Sequence, residues 1–372
     1  MWAQRSRLLW ARQGDKNTKY FQSCAMKRYR KNLIEGVKDG EGLWRDHVEE
    51  IAPLFVVHYN TLFSSSKHNG FSRVLKYVPT VITDEMNSSL SHAFEASEVH
   101  VALQQMIPLK APGSDGKCPL FYQHFWGTVN HDVTSSILMW LNSGTLPTPL
   151  NHTFITLIPK INSPEHVHQY CSISLCNVLY KIFSKVLANR LKKILPFIIT
   201  EHQSTFTKDR LIFDNIMVAF ETLYCLQRYN SGSHDYMAIK LDMSKAYDRV
   251  EWPFLEGIMR KMSFNEGWIN LIMVYVRIVT YSILVNGDPS GLIHLIGGIR
   301  QGDPLSQFMF LLCTKGLNGM IKKVERDGEI QGFSLCKRGP KLTHLLLAND
   351  CLLFCRATID ECGKVLDILN DY

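Results

Sequence analysis

The sequence of 372 residues predicts an α+β fold. Three observations carry this. Strand-like and helix-like patterns are mixed along the chain. Three of the strand patterns, at 33–44, 281–287 and 344–355, read as hairpins. Hydrophobic residues make up 46% and charged residues 20%, the balance of a chain that folds around an apolar core.

The elements follow in order. Residues 2–32 form a basic helical arm bearing Arg5, Arg7, Arg12, Lys16, Lys19, Lys27, Arg28, Arg30 and Lys31, with Trp10, Tyr20, Phe21 and Tyr29 among them. Such an arm suits backbone phosphates, and it equally suits a solvated helical face. Leu33–Trp44 reads as a hairpin around Lys38-Asp-Gly-Glu-Gly42, Asp46–Phe63 as an amphipathic helix, and Ser64–Gly70 as a linker. Thr83–Met106 holds one or two helices, and Pro108–Pro119 a long turn. Phe121–Asn142 is helical, with Gly144 as its C-terminal cap.

Phe154–Ile158 is a short strand. Val178–Leu195 is a helix that stops at Pro196, with Arg190, Lys192 and Lys193 favouring its dipole. Asp214 caps a helix running to about Tyr229. Helices near Pro253–Met262 and Trp268–Val279 follow. Tyr281–Val285 then turns at Asn286-Gly287. Asp303-Pro304 opens a helix to about Asp327, ended by Gly328.

Composition narrows the function classes. The net charge of +7 suits a polyanionic partner without requiring one. The ten cysteines are scattered and show no zinc-ligand spacing, so most are expected as small buried hydrophobes in a reducing compartment. Met1–Arg7 turns basic with no apolar region behind it. No apolar run approaches the roughly 20 residues of a membrane span. The expected location is therefore inside the cell, cytoplasmic and/or nuclear.

Two stretches bear the chemistry. In Met237–Met243, residues 237, 239, 241 and 243 alternate onto one face and place Asp242 at the strand end on the other. An Asp there either caps a following helix, around Tyr247 onward, or holds Mg²⁺. In His344–Cys355, two apolar runs are split by Asn349-Asp350, the pattern of a hairpin whose two-residue turn lifts Asp350 out of the ribbon. Two such carboxylates suit two-metal phosphoryl transfer, in which paired ions activate a hydroxyl and stabilise the leaving oxygen.

At these residues the chain resembles the reverse transcriptases of plant LINE-type (non-LTR) retrotransposons. The matching segments run in family order: Leu157–Lys160, Ile173–Val178, Lys181–Leu191, Gln203–Phe206, Asp214-Asn215, Lys240–Trp252, Arg300–Ser306 and Leu347–Asp350. Upstream, Gly14–Lys19 and Pro108–Gly113 match as well. The resemblance implies a polymerase right hand: a basic arm and hairpin over 1–70, fingers over 71–235 and palm over 236–372. The thumb and the upstream endonuclease are expected to be absent from the chain.

It also implies RNA-directed DNA synthesis from an RNA template and a DNA primer, with dNTPs and two Mg²⁺ ions. Asp242 and Asp350 resemble the family's metal ligands, with Asn349 at a degenerate catalytic position. Tyr247 resembles the aromatic gate beneath the incoming sugar, and Gln301-Gly302 the template- and nucleotide-contacting turn. Lys160 resembles a fingers lysine that touches the triphosphate. Asp248 reads instead as a helix-start carboxylate.

Several positions depart from the family. Leu347 and Asn349 stand where an aromatic and a first aspartate are usual. Cys171-Ser172 stands for an arginine and proline, Asp209 for a glycine, and Ser114 and Gln307 for prolines. These departures imply a decayed and catalytically impaired copy. The rival is a non-catalytic nucleic-acid-binding remnant of such an element.

Overall fold

The computed structural model describes residues 19–65, 70–207, 210–229, 236–336, 339–347 and 350–372, apart from the side chains of Tyr20, Phe21 and Tyr229. Residues 2–18 of the basic arm, 66–69 of the linker, Asp209 and Asn349 lie outside them. The chain forms two compact units. The smaller comprises 1–58, 155–173 and 282–292. The larger comprises 59–154, 174–281 and 293–372. Both units draw on separated segments, so neither follows a simple cut along the sequence.

The described residues begin with α1 (Lys19–Asn32), a two-strand ladder of β1 (Val37–Lys38) and β2 (Trp44–Arg45), and α2 (Val48–Leu62). Asp39 shapes the β1–β2 turn: its carboxylate accepts the N–H groups of Glu41 and Leu43, each at 3.0 Å, and Nε of Arg45 at 2.9 Å. Then come α3 (Phe71–Leu75), α4 (Asp84–Ser91) and α5 (Ala96–Gln104). The helix expected over 121–142 is two helices, α6 (Pro119–His124) and α7 (Trp126–Ser143), which meet at Phe125. Gly144 ends α7 with φ of 65°.

Next are α8 (Thr148–Asn151), β3 (His152–Pro159) and β4 (Tyr170–Leu175). The sequence did not announce β4 as a strand. Ser172 and Ser174 occupy its buried face, so alternation in burial is not alternation in hydrophobicity. α9 (Val178–Ile198) runs through Pro196 rather than stopping before it. A missing N–H near the end of a helix costs one bond, and Ile198 is buried by continuing.

α10 (Ile212–Tyr229) begins before Asp214, which sits in the first turn and accepts the Leu211 N–H at 2.8 Å. The carboxylate thus reaches back to the cap position rather than occupying it. The remaining elements are β5 (Tyr236–Asp242), α11 (Trp252–Lys261), α12 (Glu266–Arg277), β6 (Thr280–Val285), β7 (Asp288–His294), α13 (Ser306–Arg326), β8 (His344–Leu347), β9 (Asp350–Arg356) and α14 (Ile359–Asp371). The β6–β7 turn has positive φ at Asn286 (54°) and Gly287 (105°), as a tight two-residue hairpin requires.

Most of a four-stranded sheet, ordered β4-β3-β6-β7, lies in the smaller unit. The larger unit holds a three-stranded antiparallel sheet, β5-β9-β8. One face of that sheet packs on α10 through a cluster of Ala219, Leu226, Phe333, Leu345 and Phe354. α13 runs through the core of the larger unit, with residues 306–321 buried almost without a break.

Arg190, expected only to favour the helix dipole, has a larger role: it is 2% exposed. Its guanidinium donates to the carbonyls of Leu90, His92 and Ala93 and to both carboxylate oxygens of Glu98, tying α9 to the α4–α5 connection. Fewer cysteines are buried than expected: Cys176, Cys313, Cys351 and Cys355 are buried, Cys24, Cys118, Cys171, Cys225 and Cys362 half-buried, and Cys336 exposed.

Candidate active site

β5 and β9 pair antiparallel from Tyr236↔Arg356 to Asp242↔Asp350. Directly opposed residues project to the same face of a sheet, with Cα atoms about 4.5–5.5 Å apart. The two aspartates are therefore cross-strand neighbours on one face. Farther along that face Ala238, Leu352 and Phe354 pack against the α10 cluster. At the far end Asp242 is exposed and Asp350 half-buried. The other face places Cys351, Leu353 and Cys355 in the core.

The register corrects the expected turn. Leu347 pairs with Asp350, so the two connecting residues are Ala348 and Asn349, and Asp350 is the first residue of the returning strand. The sequence reading was one residue out because it placed the turn at the polar pair. Pairing instead keeps the apolar runs 344–347 and 350–355 in ladder contact. Asn349 itself lies outside the described residues.

Lys240, two residues before Asp242 on the same face, holds its Nζ 3.5 Å from Asp350 Oδ1. The two side chains are 67% and 43% exposed, so water screens this pair. Among the described residues no group of three or more His, Cys, Asp or Glu gathers as a metal site. Two opposed carboxylates on an accessible face fit Mg²⁺, which takes hard oxygen ligands and commonly only one or two from protein carboxylates.

Tyr247 lies within a run of turns over residues 244–249. Its ring stacks on Phe310 of α13, with centroids 5.1 Å apart and planes at 17°. Burial pushes its hydroxyl up to about 12. The Tyr247 carbonyl accepts the Ile299 N–H at 2.8 Å, which anchors this segment beside the Arg300–Gly302 loop. Asp248 is buried within the turns, and α11 starts only at Trp252, so Asp248 is not at a helix start.

Gln301 and Gly302 are exposed, and the Gln301 carbonyl accepts the Ser174 N–H at 3.2 Å. Gly302 has φ of 100°, a conformation that disfavours any side chain. A Cβ there would meet only the Ser174 carbonyl, at 3.7 Å, so the glycine serves the loop's conformation rather than a crowded approach. Asp303 fixes the next turn. Its carboxylate accepts Ser184 Oγ at 2.6 Å and the N–H groups of Leu305 and Ser306 at 3.1 and 3.0 Å.

Tyr247, Gln301 and Gly302 line one cleft of about 410 Å³ in the larger unit. Lys110, Lys181 and Lys185 line it too. Lys181 is buried and donates to the Ala111 carbonyl at 3.2 Å; burial pulls its pKa down. Burial does the same to Lys185, with Lys192 adding repulsion. These three cations were not singled out from sequence, although Lys181 and Lys185 stand one turn apart in the largely apolar first half of α9. Lys160, which was, is exposed just after β3 in the smaller unit and does not line the cleft. Asp242 and Asp350 do not line it either.

The family described as reverse transcriptase (RNA-dependent DNA polymerase) matches residues 158–372, more than half the chain. The chain belongs to the reverse transcriptase family. Over 358 residues, 94% of the chain and 27% of the relative, it is 24% identical to the transposon TX1 uncharacterized 149 kDa protein of Xenopus laevis. It is 28% identical over 236 residues to the retrovirus-related Pol polyprotein of the type-1 retrotransposable element R2 of Popillia japonica, covering 60% of this chain and 32% of that protein. A stretch of 67 residues, 18% of the chain, is 40% identical to an uncharacterized mitochondrial protein of Arabidopsis thaliana and covers 55% of it. The reverse transcriptase domain here is that of a non-LTR retrotransposon. The chain spans 27% and 32% of the lengths of the TX1 and R2 relatives. No helix among the described residues is long and apolar enough to cross a membrane.

Proposed function

We propose that this reverse transcriptase domain supplies the fingers and palm for RNA-templated nucleotidyl transfer in a plant LINE-type element, in a copy whose catalysis is impaired. The observation that carries the catalytic reading is the opposition of Asp242 and Asp350 on one accessible face. Together they would hold two Mg²⁺ ions, which supply activation of the primer 3′-hydroxyl and neutralisation of the leaving pyrophosphate. The protein's own residues supply position and charge. Lys110, Lys181 and Lys185 bring positive charge to a cleft that would receive a dNTP. Tyr247, braced on Phe310, offers a fixed surface for the sugar. Gln301 and Gly302 present exposed backbone to the template base pair.

The partners in this reading are an RNA template, a DNA primer and dNTPs, met inside the cell. The plant assignment rests on the ordered motifs and the short Arabidopsis match. The impairment rests on Asn349, which replaces a carboxylate by a neutral amide beside Asp350. Loss of one such charge commonly costs on the order of 10²–10³ in rate.

Primer extension on an RNA template, with Mg²⁺ titrated, tests both parts. Asn349→Asp is expected to raise extension well above that of the unmodified chain, and adding Asp242→Asn to abolish it. Vigorous extension by the unmodified chain, indifferent to Asn349→Asp, would sink the impaired-copy reading. Extension that survives Asp242→Asn would sink the assignment of the catalytic carboxylates.

A further inference from the structure

The smaller unit contains a second cavity, of about 360 Å³, near the lower end of the range for small-ligand sites. Its most distinctive wall is Trp44. The indole abuts the backbone of Gly36: a Cβ there would come within 2.4 Å of ring carbons Cε2 and Cζ2. Only glycine lets the ring seat there. Even so, Trp44 remains 49% exposed, so the surface not resting on Gly36 is open to solvent. Ile161, also 49% exposed, lines the same cavity from the connection between β3 and β4.

Charge surrounds this apolar wall. Arg30 and Lys31, exposed in the last turn of α1, line the cavity, and α1 carries no acid in its first turn. Asn162 and Glu35 add a donor–acceptor amide and an acceptor. Glu165, by contrast, is engaged by Lys38. A large aromatic seated on glycine, open on one side and bordered by cations, is the chemistry that takes an unpaired base and its phosphate.

We infer that this cavity is a stacking site for one unpaired base of single-stranded RNA, with Trp44 under the base and Arg30 and Lys31 beside the phosphate. None of its lining residues is among the polymerase residues described above. The inference rests on RNA being this chain's partner, so the test separates the two claims.

The full chain is titrated into a short fluorescent single-stranded RNA across a salt series, alongside Trp44→Ala, Trp44→Phe and an Arg30→Gln/Lys31→Gln pair. Circular dichroism checks that each variant is folded. Trp44→Ala is expected to weaken binding roughly tenfold or more, the usual effect of losing one stacked base. Trp44→Phe should keep most of the affinity, and the double charge variant should flatten the salt dependence. RNA carrying 5-bromouridine should photocrosslink to Trp44, read by mass spectrometry.

If the unmodified chain binds RNA but Trp44→Ala binds equally well, the cavity is not the site. The same conclusion follows if Trp44→Phe loses as much as Trp44→Ala, or if the crosslink maps elsewhere. Equal losses on single-stranded DNA and on RNA would overturn the assignment to RNA. Failure of the unmodified chain to bind RNA at low salt would overturn the partner itself.

Discussion

Asp242 and Asp350 face each other across neighbouring antiparallel strands as direct register partners, with Lys240 reaching Asp350 from the same face. Without a cation, like charges placed this way weaken the ladder by roughly 0.2–1 kcal/mol. Asp242→Asn should therefore leave the metal-free protein as stable as before or slightly more so. Mg²⁺ should raise the melting temperature of the unmodified chain and not of Asp242→Asn. Thermal melts in EDTA and in MgCl₂ check this, and an equal Mg²⁺ shift in both proteins would place the ion elsewhere.

The Arg190–Glu98 pair makes a structural prediction. Arg190 is buried, spends its donors on three carbonyls and two carboxylate oxygens, and stacks 3.6 Å from the Phe94 ring centroid. Arg190→Ala should cost about 3–5 kcal/mol, because it leaves buried groups uncompensated. Arg190→Lys should recover little, since one ammonium cannot span that fork. Burial alone pushes the Glu98 carboxyl up, but the Arg190 hydrogen bond and charge and the Glu95 N–H leave it below its usual value. Its contribution is then present above the unfolded carboxylate pKa and is lost as pH falls through the lower folded value. Urea midpoints from neutral to acid pH should show that loss, and Glu98→Gln should remove it.

A second pH dependence comes from His344, fully buried in β8 and stacked on His202 with ring centroids 4.4 Å apart. Its Nε2 meets Asn318 Oδ1 at 3.0 Å and its Nδ1 meets Thr343 Oγ1 at 3.1 Å. Burial, then the charges of His202 and Lys322, hold its pKa well below 6.5. The folded state keeps the ring neutral while the unfolded chain takes a proton, so stability should fall as pH drops below about 6.5. His344→Phe should flatten that decline in urea unfolding, and an unchanged slope would assign it to other groups.

The legible parts of this chain were those in which one residue type has one physical use. Asn286-Gly287 read correctly as a turn because both positions need positive φ. The strand ending at Asp242 read correctly because a carboxylate interrupts an apolar alternation. Reading failed where tertiary contacts assign the role. Ser172 and Ser174 fill a buried strand face that hydropathy cannot see. Arg190 reads from sequence as one of three basic residues that favour a helix dipole, and it is the most enclosed cation of α9. Lys110 comes to Lys181 and Lys185 only through the packing of the 108–118 loop, which no local pattern encodes.

Lys315 gives the last prediction. It lies in the buried stretch of α13 and is 5% exposed. Burial first, and the charge of Lys322 second, draw its pKa from 10.5 to about 8. At pH 7 the ammonium is charged in both folded and unfolded states, and the fold bears the full desolvation cost, on the order of 3 kcal/mol. Between about pH 8 and 10.5 the folded state has released the proton and the unfolded chain still binds it, so this residue's destabilisation fades as pH rises. Lys315→Met keeps the volume and length of the side chain and removes the charge. It should raise stability at pH 7 by about 1–3 kcal/mol, less than the whole cost because packing around a new side chain is imperfect. It should also abolish the rise in stability between pH 8 and 10.5. Urea unfolding of both proteins at pH 7, 8.5 and 10 reads both effects. A less stable Lys315→Met at pH 7 would mean that the ammonium has a favourable partner, and the burial argument would fall.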